Sequence, residues 1–188
     1  MIVWPMILKY QRILDEIHHC LSNSNFASSD SFIESILNSQ TIIVYGAGRV
    51  GLAMRGFAKR LRHLGLNSFY LEDSTVPSTG VGDLLIIGSG SGSTQSVLTI
   101  AEIAKANQLQ IISITCNPNS PIAALSSSII VLNAPSKTSE KIPYQSIQPM
   151  TTLFEQTLMI TLDSLVLEIM DLIGEDSITM QKRHNVIE

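Results

Sequence analysis

The chain has 188 residues, 45% of them hydrophobic and only 15% charged, enough for one sizeable core and cramped for two. Its 12 Lys and Arg stand against 16 Asp and Glu, a formal charge of −4, so the composition offers no basic surface for nucleic acid or for an anionic membrane. A mean hydropathy of +0.26 is high for a soluble monomer and points to apolar surface covered in a homo-oligomer.

Residues Met1 to Leu8 are apolar but have no basic residue ahead of them and no small-residue cleavage signal, so they do not read as a secretory leader. The longest apolar stretch, Leu153 to Ile173, is interrupted by Glu155, Asp163, Glu168 and Asp171, too many charges for a membrane span. Cys20 and Cys116 lack metal-ligand spacing, and a reduced, cytoplasmic chain without a metal is expected.

Two helices are predicted first, Trp4 to Leu21 and Ser31 to Leu37, the second with Ser29 or Asp30 as its N-cap. Short runs rich in β-branched residues follow at Thr41–Tyr45, Ser68–Leu71, Leu84–Ile87, Gln110–Ile114 and Ile129–Leu132. Continuous apolar runs of this length suit strands covered on both faces. Helical patterns separate them at Val50–Leu64, Thr94–Asn107 and Pro121–Leu125. This alternation predicts right-handed crossovers and a doubly wound parallel sheet, α/β in class, with ligands at the loops beyond the carboxyl ends of the strands. A loop from Asn133 to Pro149, a long helix from Thr151 to Ile173 and a last helical stretch from Asp176 to Asn185 complete the chain. The division expected is one domain over 1–188: helices over 1–40, the sheet over 41–150, and helices over 151–188.

The first strand leads into Gly46-Ala47-Gly48-Arg49-Val50-Gly51, a G-x-G-x-x-G turn, and the second ends at Glu72-Asp73, where a ribose-binding acid would lie. Alone, these features leave a nicotinamide-dependent oxidoreductase open. The third strand exits through Gly88-Ser89-Gly90-Ser91-Gly92-Ser93-Thr94. Glycines admit an anion to the backbone N–H groups, the following helix adds its dipole, and Ser89, Ser91, Ser93 and Thr94 supply hydroxyl donors. No lysine follows the glycines, so the loop suits a phosphomonoester rather than a nucleoside triphosphate. Arg49, at a helix start beside the strand exits, has the position of a bidentate partner for phosphate or sugar oxygens. Arg55, Lys59, Arg60 and Arg62 read as a solvated or intersubunit face.

Within the long C-terminal helix, Thr157, Thr161, Ser164, Glu168 and Asp171 form a polar stripe by projection. Glu155 lies off that stripe, on the face of Met159, Leu162, Val166 and Ile173. It reads either as a first-turn acid that complements the helix dipole or as a carboxylate held for chemistry.

From Gly46 to Thr94 the chain resembles the sugar isomerase (SIS) domain, through the two glycine loops, Phe57–Gly65 (FAKRLRHLG), Pro77 and Gly82-Asp83. Ser146–Gln156 (SIQPMTTLFEQ) and Met180–His184 (MQKRH) are similar to the 6-phospho-3-hexuloisomerase branch. Members commonly carry serine and glutamate where this chain has Val50 and Ser93. The resemblance implies a three-layer α/β/α domain with a five-stranded, flavodoxin-like parallel sheet, assembled as a tetramer with active sites near subunit interfaces. It also implies exchange of hex-3-ulose 6-phosphate with fructose 6-phosphate, and no cofactor. Glu155 is then the proton-shuttling base, and Gly48, Arg49, Ser89, Ser91, Ser93 and Thr94 hold the phosphate and sugar. His63, which by position could simply complement a helix end, and His184, near the C-terminus, become candidates for assisting proton transfer, in the second case to a neighbour's pocket. A non-catalytic sugar-phosphate sensor on the same domain remains the other alternative, one that would tolerate loss of Glu155.

Overall fold

Five short apolar runs pair into one parallel sheet in a computed structural model that describes residues 6–136 and 145–187. The strands are β1 (Ile42–Gly46), β2 (Ser68–Tyr70), β3 (Leu84–Gly88), β4 (Gln110–Thr115) and β5 (Ser128–Val131), in the order β2-β1-β3-β4-β5. Every residue of β1 and β3 is buried, because crossover helices cover both faces, as their unbroken Ile, Leu and Val content predicts.

The helices are α1 (Met6–Ser22), α2 (Ser29–Leu37), α3 (Gly48–His63), α4 (Gln95–Ala106), α5 (Pro121–Leu125), α6 (Thr152–Ile173) and α7 (Ser177–Lys182). On one side of the sheet α3 and α2 lie against the strands and against α6, and α6 in turn packs on α1. On the other side α4 and α5 touch each other and β4. The result is the three-layer arrangement expected. No helix among the described residues is long and apolar enough to cross a membrane.

The direction in which strands are added reverses between β1 and β3, since β1 leads outward to β2 while β3 leads to β4 and β5. Gly46 and Gly88 are register partners at the carboxyl ends of this central pair. Both glycine-rich loops therefore open at the topological switch point, where doubly wound sheets bind ligands.

Several boundaries differ from expectation, each for a local reason. Helix α2 starts at Ser29 with Ser28 at the N-cap, not Ser29 or Asp30, and Ser31 Oγ reaches back to donate to the Ser28 carbonyl at 3.0 Å. Helix α3 starts two residues before Val50, because Gly48 at φ 59° lets the chain turn directly into the helix. The last helix is shorter than predicted: α7 is set by Asp176, whose side chain accepts from Thr179 N in a capping box, and ends at Lys182, so His184 stands beyond it. The first predicted helix begins outside the described residues, as does part of the predicted loop before Pro149.

The polar stripe on α6 is not a solvated face. Thr157 and Thr161 are buried, because α6 is sandwiched between α1, α2 and α3. Their hydroxyls are satisfied within the helix, donating to the carbonyls of Leu153 at 2.7 Å and Thr157 at 2.9 Å. This back-bonding lets threonine enter a core that periodicity alone would deny it. Conversely Met159 and Ile173, on the supposedly buried face, are exposed in the single chain.

Candidate active site

The two glycine loops and the start of α6 enclose a cleft of about 320 Å³ over the carboxyl ends of β1 and β3. Gly48, Arg49 and Val50 line it from the first loop, Ser89, Gly90, Ser91 and Thr94 from the second, and Met150, Thr151, Phe154 and Glu155 from the approach to α6. Its walls thus combine backbone and hydroxyl donors, one guanidinium and one carboxylate. That composition suits a small anionic, hydroxylated ligand.

The second loop is tightly specified. Ser89 is buried, its N–H donates to the Ile114 carbonyl at 3.0 Å, and its Oγ accepts from Gly92 N at 3.2 Å. Gly92 has φ 63°, and a Cβ there would stand 2.0 Å from Ser120 Oγ, so only glycine passes this point. Ser91 Oγ accepts from Ser93 N at 3.2 Å and meets Thr94 Oγ1 at 3.5 Å. Thr94 is the N-cap of α4, so the loop delivers the dipole of a 12-residue helix to the cleft. Ser93 is exposed and does not line the cleft.

Glu155 is held from two sides. Thr151, the N-cap residue of α6, donates its hydroxyl to Oε1 at 3.0 Å, and Arg49 Nε donates to Oε2 at 2.5 Å. The carboxylate side chain is 12% exposed and the arginine 68%. Glu155 is therefore an oriented carboxylate at the cleft wall, with its charge partner reaching it from solvent. Beneath it Phe154 is fully buried and packs so closely on Gly90 that a Cβ there would lie 3.1 Å from its ring.

Within one chain the two histidines do not enter this cleft. His63 is the last residue of α3 and Arg49 lies in its first turn, about 21 Å apart at 1.5 Å per residue. His63 and His184 instead meet each other, with ring centroids 5.1 Å apart. They line a second cavity of about 290 Å³ with Lys59, Arg60, Met159 and Asp163. Arg183 sets this meeting, donating to the His63 carbonyl at 3.1 Å and pairing through both terminal nitrogens with Glu175 at 2.7 and 2.8 Å. The Arg183 guanidinium holds the Glu175 carboxyl well down, at about 2, with Thr179 adding a further hydrogen bond.

The acids at the end of β2 are engaged elsewhere. Glu72 pairs with Arg55 at 3.1 Å, and Asp73 accepts from Tyr70 N at 3.2 Å. Arg55 also stacks over the Tyr70 ring, 4.3 Å from its centroid, and Tyr70 Oη donates to the Gly46 carbonyl at 2.9 Å. The place beyond the end of β2 that a dinucleotide ribose would use is thus occupied by an Arg–Tyr–Glu cluster. Neither cysteine is poised for chemistry: burial pushes the Cys116 thiol up to about 12 and raises Cys20 as well.

Sequence reasoning missed Thr151, Phe154 and Met150. Thr151 was legible as a hydroxyl at the N-cap four residues before Glu155, the spacing at which helix side chains meet; Met150, at φ 55°, had no signal.

The SIS domain family matches residues 35–160. A 3-hexulose-6-phosphate isomerase of Bacillus subtilis is 38% identical over 94% of this chain and 95% of its own length. A 3-hexulose-6-phosphate isomerase of Methanocaldococcus jannaschii is 39% identical over 82% of this chain and 81% of its own. A crystal structure from Methanococcus jannaschii, for which 3-hexulose-6-phosphate isomerase function has been inferred, superposes with a TM-score of 0.79 at 34% identity, covering 95% of this chain and 96% of that one. With its five-stranded parallel sheet, its switch-point cleft and these relatives, the chain belongs to the SIS domain family, on the branch that holds the 3-hexulose-6-phosphate isomerases.

Proposed function

We propose that the protein interconverts D-arabino-hex-3-ulose 6-phosphate and fructose 6-phosphate through a 2,3-enediol. The observation that carries this reading is the placement of an oriented carboxylate, Glu155, in the same cleft as the hydroxyl-rich loop at the end of β3. Ser89, Ser91 and Thr94, with the N-terminus of α4, take the phosphate. Ser93 takes part only through Ser91, whose Oγ accepts from Ser93 N, since Ser93 does not line the cleft.

Glu155 then removes the proton from C2 of the 3-ketose and returns it to C3, while a proton leaves O2 and another is gained at O3. The carbonyl moves by one carbon with no change in composition, and one carboxylate serves both carbons. Arg49 and the first loop, with Gly48, face the sugar oxygens, where a cation stabilises the enediolate. Val50 contributes an apolar contact from the first loop.

His63 and His184 assist only from a neighbouring copy in this reading, since in one chain they face another cavity. Support comes from the apolar residues that α3 and α6 leave exposed, among them Leu52, Met159 and Leu167, a surface an oligomer would cover. A cytoplasmic homo-oligomer, with sugar phosphate as its small-molecule partner, completes the proposal.

The direct test supplies hex-3-ulose 6-phosphate and follows fructose 6-phosphate. Turnover lost by about 100-fold or more in Glu155→Gln is expected for removal of a general base. Binding of the sugar phosphate without turnover by the unaltered chain would make it a sensor instead.

A further inference from the structure

The face of α1 that meets α6 carries Ile13, Ile17 and Cys20, and among them stands Glu16, only 2% exposed. A carboxyl group at that depth is strongly disfavoured unless donors replace its water. Three do. Ile147 N donates to Oε1 at 2.7 Å, and Ser146 Oγ and Gln148 Nε2 donate to Oε2 at 2.7 and 3.2 Å. All three belong to one short segment, and Ser146 Oγ in turn accepts from Gln148 N at 3.0 Å.

That segment is the approach to the cleft. Pro149 follows, with its carbonyl accepting from Thr152 Oγ1 at 2.8 Å, and then Met150, a non-glycine residue held at φ 55°. A side chain persists in that region only where its surroundings over-determine it. Next comes Thr151, whose hydroxyl donates to Glu155 and whose carbonyl accepts from Glu155 N at 3.1 Å. The chain from Glu16 to the candidate base is therefore continuous: carboxylate, residues 146–148, the left-handed Met150, Thr151, Glu155.

We propose that Glu16 is a positioning residue for the active centre. By clamping residues 146–148 it fixes where Thr151 stands and hence how Glu155 presents its carboxylate to the sugar. This rests on reading Glu155 as the base, and it assigns a role in catalysis to a side chain on a helix that takes no other part in the site.

Glu16→Gln keeps the volume but turns one acceptor into a donor facing donors. It should lower kcat about 10- to 100-fold, the cost of a reacting group shifted by a fraction of an ångström to one ångström, with KM within about 2-fold. Ile17→Ala, a cavity on the same helix that leaves the three bonds intact, should keep kcat at a temperature where both variants are folded. Should Glu16→Gln not fold, Ser146→Ala removes one of the three donors from the loop and should give a smaller loss of the same kind. Amide exchange of the 149–156 region reports the anchor without substrate: it should rise in Glu16→Gln and stay unchanged in Ile17→Ala. If the unaltered chain turns over no hexulose phosphate, the isomerase reading fails while the exchange still decides the anchor. Equal loss of kcat in Ile17→Ala, or unchanged kcat and exchange in a folded Glu16→Gln, overturns the proposal.

Discussion

Arg49 and Glu155 face each other across the mouth of the cleft, Nε to Oε2 at 2.5 Å, joining the first turn of α3 to the first turn of α6. An arginine this exposed adds little to stability, since an ion pair with one solvated partner contributes about 0–1 kcal/mol. Arg49→Ala should therefore leave the melting temperature within about 4 °C, while kcat/KM falls about 10-fold or more because the sugar oxygens lose their cation. Arg49→Lys should recover only part, a point charge replacing a planar fork. Melting curves beside steady-state kinetics separate the two effects; a large fall in stability with unchanged kcat/KM would make Arg49 a strut.

Gly92 tests the phosphate loop. A methyl group at φ 63° beside Ser120 Oγ combines backbone strain of about 1–3 kcal/mol with a clash that must move the loop. Inorganic phosphate should raise the melting temperature of the unaltered chain; Gly92→Ala should melt several degrees lower and show no such rise. Undiminished stabilisation by phosphate in the variant would place the anion elsewhere.

The tail around His184 should come loose in acid. The folded-state pKa of Glu175 lies at about 2, below its usual value near 4.5, so its contribution is complete above the unfolded value and is lost as pH falls from there towards 2. Limited proteolysis of residues 175–187 should accelerate over that window. In Glu175→Gln the tail should be cut at the faster rate at every pH, with the acid dependence largely gone.

The separation of the histidines from Glu155 makes subunit complementation decisive for their role. Chains carrying Glu155→Gln and chains carrying His184→Ala, each with little activity alone, should regain part of it when co-assembled, because some interfaces then pair an intact Glu155 with an intact His184. Mixed assemblies no more active than the sum of the parents would remove His184 from the chemistry.

Much of this was legible in the sequence. Ile42–Tyr45 and Leu84–Ile87 announced buried parallel strands, and the glycines following them fixed where a cleft would open. Glu155 stood out because it breaks the pattern of its helix. What went astray followed from treating one helix face at a time. Thr157 and Thr161 project onto a polar stripe, yet α6 is covered on several sides and their hydroxyls bond to its own carbonyls. His63 could have been placed, since a crossover helix ends by the amino ends of parallel strands, opposite the loop that starts it. Glu16 too could have been found, for Ile13, Glu16, Ile17 and Cys20 recur at i, i+3, i+4 and i+7 and put a carboxylate on an apolar face. Its three partners on residues 146–148 could not, because no local pattern links segments 130 residues apart.

The central claim is that Glu155 moves a proton between adjacent carbons, and isotope uptake tests it most directly. Fructose 6-phosphate incubated with the protein in deuterated water should be recovered with deuterium at C3, at a rate lowered about 100-fold or more by Glu155→Gln. Recovery without label from the unaltered protein, or labelling undiminished in Glu155→Gln, would contradict the account.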